Sequence, residues 1–179
     1  MNNPLDDARV PLYRGAVVDL GRERVRLPNG DWVTLEIVRH PGGAAAVALA
    51  ADERVCLLRQ YRHAAGGWLW ELPAGKRDAG EAGLTTAQRE LAEEAGVTAR
   101  YWDALGLLHS SPGILTETID LFLARDLTLV STAHEPGEAI EVHWWPLAEA
   151  LRACDQGTIS DAKTLIGLYR AAAWLRPRG

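Results

Sequence analysis

The chain has 179 residues, 47% of them hydrophobic, long enough to bury the core of one ordinary domain without staples. A formal net charge of −5 argues against nucleic acid as the main partner, because gripping a phosphate backbone needs a basic face. Two cysteines, Cys56 and Cys154, are too few for a disulfide framework or a Cys-based zinc site. No signal peptide or apolar run of membrane length is read, so a cytosolic protein with no membrane partner is expected.

Taken in chain order, residues 15–20, 23–27 and 32–39 read as strands, the last two joined by Pro28-Asn29-Gly30, whose Asn-Gly pair suits a tight hairpin turn. They form an N-terminal β module, residues 1–40, ahead of a main domain at 41–179. Residues 44–50 and 55–59 are apolar runs joined through Asp52-Glu53, again hairpin-like. Residues 68–72 lead as a strand into a loop, Pro73-Ala74-Gly75. A helix is predicted over 86–95, with Thr85 as N-cap, Gln88 as its capping-box partner and Gly96 as the stop. Strands follow at 101–108, 119–124 and 140–145, then helices at 147–154 and 161–174, the latter capped by Ser160. Strands broken by a few helices, without regular βαβ alternation, indicate a mixed sheet packed between helices. The first few residues and the final Arg-Pro-Arg-Gly are expected to be disordered.

The helix at 86–95 carries the chemistry. Ala87, Leu91 and Ala95 recur at i, i+4 and i+8 and give a narrow apolar stripe. Glu90, Glu93 and Glu94 fan over the neighbouring face at i, i+3 and i+4, with Glu81 just upstream. No lysine lies close enough to neutralise them all, and like charges so spaced cost an isolated helix roughly 0.2–0.5 kcal/mol per pair, a penalty a bound cation turns into attraction. Oxygen ligands without His or Cys favour Mg²⁺, with Mn²⁺ as substitute, over Zn²⁺. The competing reading is a solvated acidic helix.

The segment from Gly75 to Val97 resembles the Nudix box: Gly, five residues, Glu, seven residues, then Arg-Glu-aliphatic-x-Glu-Glu-x-Gly-aliphatic. Gly75, Glu81, Arg89, Glu90, Glu93, Glu94 and Gly96 fill the fixed positions, and Leu91 and Val97 the aliphatic ones. Two further segments are similar to the ADP-ribose pyrophosphatase branch of that superfamily. One runs from Gln60-Tyr61-Arg62 to Trp70-Glu71-Leu72-Pro73-Ala74-Gly75; the other is Ser111 to Glu117, where Pro112 falls sixteen residues after Gly96.

The resemblance implies an α/β/α sandwich with a mixed sheet, of the α/β (α+β) class, plus the N-terminal antiparallel module. It also implies Mg²⁺-dependent hydrolysis of ADP-ribose to AMP and ribose 5-phosphate. Metal ligands would be Glu90 and Glu94, helped by Glu93, Glu81 and the backbone carbonyl of Ala74. The catalytic set would be Glu117 as general base on a mobile loop, Glu93 in reserve, and Arg89 orienting Glu93. Substrate contacts would come from Arg62, whose guanidinium fork suits a phosphate, with Glu71, Pro112 and Gly113. The adenine-stacking aromatic of the branch has no clear counterpart here; Trp32 is the candidate, against plain strand packing. In the family the N-terminal strands cross to a partner in a homodimer. Two other functions stay open: hydrolysis of another nucleoside diphosphate derivative, such as a GDP-sugar or an oxidised nucleotide, and a non-catalytic nucleotide-sugar sensor.

Overall fold

A computed structural model describes residues 9–134 and 136–176; of the segments expected to be disordered, the first few residues and the last three of the final Arg-Pro-Arg-Gly lie outside them, while Arg176 lies within. The chain divides into two compact units, residues 1–42 with 109–118, and residues 43–108 with 119–179.

The described part of the first unit is built on a three-stranded antiparallel sheet of β1 (Arg9–Arg14), β2 (Asp19–Arg26) and β3 (Trp32–Arg39), in that order. The Asn-Gly turn holds as predicted. Gly30, at φ +97°, takes the left-handed conformation that the turn requires, and Leu27 N–H donates to the Asp31 carbonyl at 2.8 Å. The predicted strand at 15–20 is corrected: that stretch is mostly the connection between β1 and β2, because Arg9, rather than a residue after Gly15, pairs with Glu23 across the sheet. Glu23 is buried between two guanidinium groups, at 3.2 Å from Arg9 and 3.0 Å from Arg39, which offsets its desolvation. Much of the apolar content stays exposed: Val10, Leu12, Tyr13, Val17, Trp32 and Leu35 all face solvent.

The second unit holds a mixed seven-stranded sheet. Its path runs β10 (Ile140–Pro146), β5 (Arg54–Arg62), β4 (Gly43–Leu49), β9 (Thr118–Leu129), β8 (Val97–His109). Off this path β6 (Gly67–Glu71) pairs with β5, and β7 (Ala74–Lys76) with β4. β4 and β9 run parallel, from Gly43 beside Ile119 to Leu49 beside Arg125. β4 reads Gly-Ala-Ala-Ala-Val-Ala-Leu and is buried throughout, as a central strand covered on both faces must be. Its side chains alternate between two cores. Ala45, Val47 and Leu49 join β5's Val55 and Leu57, β9's Leu121 and Leu123, and Ala150, Leu168 and Ala171 of the last two helices; Ala46 and Ala48 join Cys56, Leu58 and Leu91 of the first helix. α1 (Gly83–Ala95) thus lies on one face, and α2 (Leu147–Asp155) and α3 (Ala162–Leu175) on the other, the expected α/β/α sandwich.

Three local expectations are corrected. α1 begins at Gly83, and its N-cap is Ala82 without a side-chain bond. Thr85 does not cap it, because the neighbouring Thr86 hydroxyl bonds Glu81 and Thr86 N–H reaches the Ala82 carbonyl, starting the helix a turn earlier. α3 is capped by Asp161, not Ser160: the Asp161 carboxylate accepts from Thr164 N–H at 3.0 Å and from the Thr164 hydroxyl at 2.6 Å. The segment around Ala74 is a short strand, paired with Ala45 of β4, and not an open loop. Gly96 does end α1, at φ +64°; a Cβ there would also stand 2.8 Å from the Val130 carbonyl oxygen.

Candidate active site

The acidic helix meets β7 at its carboxylate face. Ala87, Leu91 and Ala95 are buried as the stripe predicts, which turns Glu90 and Glu94 toward Ala74 and Gly75. Glu94 is almost wholly buried, and its Oε2 accepts from Ala74 N–H at 2.7 Å. It is therefore the amide of Ala74, a group the sequence reading did not assign, that touches the acidic cluster. A Cβ on Gly75 would fall 1.9 Å from Glu90 Oε1, so any larger residue there must displace the Glu90 carboxylate.

Arg89 lies among the other carboxylates. Its guanidinium donates to Glu81 at 3.3 and 3.1 Å, to Glu90 at 2.7 Å, to Glu93 at 3.1 Å and to the Lys76 carbonyl at 3.2 Å. Arg89 thus reaches Glu93, as expected, and also Glu81 and Glu90, so an arginine from the same helix serves three of the four glutamates. Among the described residues no three His, Cys, Asp or Glu side chains converge as metal ligands would.

The four carboxylates differ in their electrostatics. Hydrogen bonds from Arg89, Asp78 N–H and the Thr86 hydroxyl hold Glu81 down at about 2. Burial pushes Glu94 up to about 8, with the Ala74 amide opposing and the charges of Glu90 and Glu138 adding. Burial also raises Glu90, against the pull of Arg89, with Glu93 and Glu138 reinforcing the rise. Glu90 and Glu94 are thus the pair whose negative charge the protein leaves least compensated. Two hard carboxylate donors in that state fit a divalent oxygen-seeking cation, whereas Glu81 is already committed to Arg89 and Thr86.

Beside this cluster lies a second ionic group that the sequence reading caught only in part. Glu71, 2% exposed, accepts a two-pronged contact from Arg62 at 2.9 and 3.0 Å and a third from Lys163 Nζ at 2.5 Å. Burial works to raise the Glu71 carboxyl, but the two cations outweigh it and leave it below its ordinary value. Lys163 also meets Asp161 at 3.1 Å, and Thr164, capped by Asp161, takes Leu72 N–H at 2.9 Å, so α3 is tied to the end of β6. Lys163 was missed, although a readable signal existed: a lysine in the first turn opposes the helix dipole and calls for an acidic partner. Glu138 was missed too. Its charge reaches both Glu90 and Glu94 from the loop after β9, and only folding brings it there. That loop is fastened to the last turn of α1, with Ala133 N–H on the Glu93 carbonyl at 2.8 Å and His134 Nε2 on the Glu94 carbonyl at 2.8 Å.

The remaining predicted residues belong to the first unit. Trp32 is exposed, with the Arg24 guanidinium 5.0 Å from its ring centroid. Pro112 and Gly113 lie in a turn closed by Ile114 N–H and Leu115 N–H on the Ser111 carbonyl. Glu117 Oε1 stands 3.2 Å from His40 Nδ1.

Comparison with known proteins agrees with this architecture. The chain is 40% identical over 165 residues to the ADP-ribose pyrophosphatase of Mycobacterium tuberculosis, covering 90% of this chain and 80% of that protein. It is 36% identical over 159 residues to the ADP-ribose pyrophosphatase of Bacillus subtilis (88% and 86%), and 35% identical over 159 residues to the methanol dehydrogenase activator of Bacillus methanolicus (88% and 86%). A crystal structure described as an ADP compounds hydrolase superposes with a TM-score of 0.80 at 23% identity, over 93% of this chain and 91% of that one, and shares the fold. A family model described as the NUDIX domain matches residues 39–166, and the chain belongs to the Nudix family.

Proposed function

We propose that this protein hydrolyses the diphosphate bridge of ADP-ribose, releasing AMP and ribose 5-phosphate, with Mg²⁺ as the working ion and Mn²⁺ as a substitute. The observation that carries the reading is the undercompensated pair Glu90 and Glu94, packed against β7 and held beside Arg89. Relatives bearing the ADP-ribose pyrophosphatase name support the substrate. A divalent cation bound there would neutralise nonbridging oxygens and lower the pKa of a water. Glu90 and Glu94 would hold that cation, with Glu93 and the Ala74 carbonyl completing the set, while Glu81 stays with Arg89 and Thr86. Arg89 keeps Glu81, Glu90 and Glu93 in one orientation. Arg62, oriented by Glu71 and half open to solvent, presents its free edge to a phosphate, while Trp32, Pro112 and Gly113 contact the rest of the substrate.

The proton of the attacking water goes to Glu117 in this reading. A second reading gives that role to Glu138, and the specific observation favouring it is the reach of its charge to both Glu90 and Glu94. Replacing each by glutamine separates them, because loss of the true base slows kcat by roughly 10²–10⁴-fold while the other variant stays near wild type. The exposed apolar residues of the β1–β3 sheet support a homodimer formed through it, and the two buried free thiols fit a reducing cytoplasm.

The overall test is AMP release from ADP-ribose by the purified protein in Mg²⁺, stopped by EDTA. Tight binding without AMP would favour the sensor. Faster turnover of a GDP-sugar or an oxidised nucleotide would move the substrate.

A further inference from the structure

The segment that bears Glu117 is built into the first unit. After the turn at Ser111, the chain runs parallel to the end of β3: Val38 N–H donates to the Ile114 carbonyl at 2.8 Å, Thr116 N–H to the Val38 carbonyl at 3.1 Å, and Leu115 bridges Val38. Thr116 then exchanges two bonds with His40, its Oγ1 accepting from His40 N–H at 2.8 Å and donating to the His40 carbonyl at 3.3 Å. The side chains continue this zipper by one residue. His40 Nδ1 lies 3.2 Å from Glu117 Oε1 and 3.1 Å from the N–H of Gly42, and both His40 and Glu117 are mostly buried.

An imidazole nitrogen has a single in-plane valence, either a lone pair or an N–H. As an acceptor, Nδ1 serves the Gly42 amide and opposes an ionised Glu117. As a donor, it holds the Glu117 carboxylate and releases Gly42. Gly42 sits at φ +88°, a conformation that suits glycine, and its N–H points at Nδ1, so the state in which Nδ1 donates to Glu117 is reached only when this amide lets go of the ring. No other side chain is needed to aim Glu117, since Thr116 and His40 already fix the backbone on both sides of the contact.

We propose that His40 is the positioning residue for Glu117: its Nδ1 donates to the carboxylate and orients it for the reaction. The inference rests on Glu117 taking part in hydrolysis, and the tests keep the two ideas apart. Steady-state hydrolysis of ADP-ribose in Mg²⁺ is compared for wild type, His40→Leu, Glu117→Gln, the double variant and His40→Asn, which keeps a polar atom where Nδ1 stood. His40→Leu is expected to lower kcat about 10–100-fold with KM within about 3-fold, and to cost less than about 2-fold more once Glu117 is glutamine. His40→Asn should recover most of the loss. Equal fold-losses in both backgrounds, or an asparagine variant as slow as leucine, would overturn the proposal. A Glu117→Gln form with wild-type turnover would reject the base role of Glu117 and, with it, the catalytic meaning of His40. The pairing itself is read independently from the nitrogen-15 shift of His40 Nδ1. A shift that moves on Glu117→Gln supports the pair, and one that does not move refutes it.

Discussion

Glu94 is where residue chemistry is easiest to isolate. In the metal-free protein its carboxyl titrates at about 8 against an ordinary 4.5, so the folded state holds a proton that the unfolded chain has already released. Its favourable contribution is complete below about 4.5 and disappears as pH rises through about 8. In EDTA, therefore, wild type should lose melting temperature between about pH 4.5 and 8. Glu94→Gln, which cannot ionise, should lack that part of the fall, a difference on the order of a few kcal/mol. Added Mg²⁺ should raise the melting point of wild type at pH 8 and hardly shift the variant, because a cation selects the carboxylate. Turnover should drop by orders of magnitude in the same variant; near-normal rates would remove Glu94 from the ligand set. Gly75→Ala should also slow hydrolysis about 10-fold or more, since the new methyl displaces Glu90.

At the scale of elements, the site depends on how two helices are docked. α3 approaches the sheet so closely that a Cβ on Gly167 would sit 2.6 Å from Leu72 Cδ1 and 3.3 Å from Val47 Cγ2. Gly167→Ala should gain helix propensity yet destabilise by about 1–3 kcal/mol through overpacking, measurable as a lower urea midpoint. Asp161→Ala removes both the N-cap and a partner of Lys163 and should cost about 1–2 kcal/mol. A cost near zero would show that the α3 start is not held by this cap. The elements were legible in the sequence wherever a local rule governed them. The Asn-Gly turn, the Ala87-Leu91-Ala95 stripe and the Gly96 stop each need only neighbours in the chain. β7 was not legible, because three residues, Ala-Gly-Lys directly after a proline, carry no strand signal and pair with β4 only after folding. The helix cap moved for a different reason: the Thr86 hydroxyl bonds Glu81, five residues upstream, and the helix already begins at Gly83, ahead of Thr85.

For the whole molecule, the exposed Val10, Leu12, Tyr13, Trp32 and Leu35 of the N-terminal sheet are more apolar surface than a solvated module needs. Light scattering should find a dimer at micromolar concentration, and Leu12→Glu with Leu35→Glu should shift it to monomer. A wild-type monomer at all concentrations would reject the homodimer.

The spacing of Gly75, Glu81, Arg89, Glu90, Glu93, Glu94 and Gly96 was determined by sequence alone, because helix periodicity converts spacing directly into a shared face. The roles within that set were decided by the tertiary structure. Desolvation and approach distance exist only in the fold: they commit Glu81 to Arg89, leave Glu90 and Glu94 undercompensated, bury Glu71 between Arg62 and Lys163, and bring the charge of Glu138 to bear on the acidic helix.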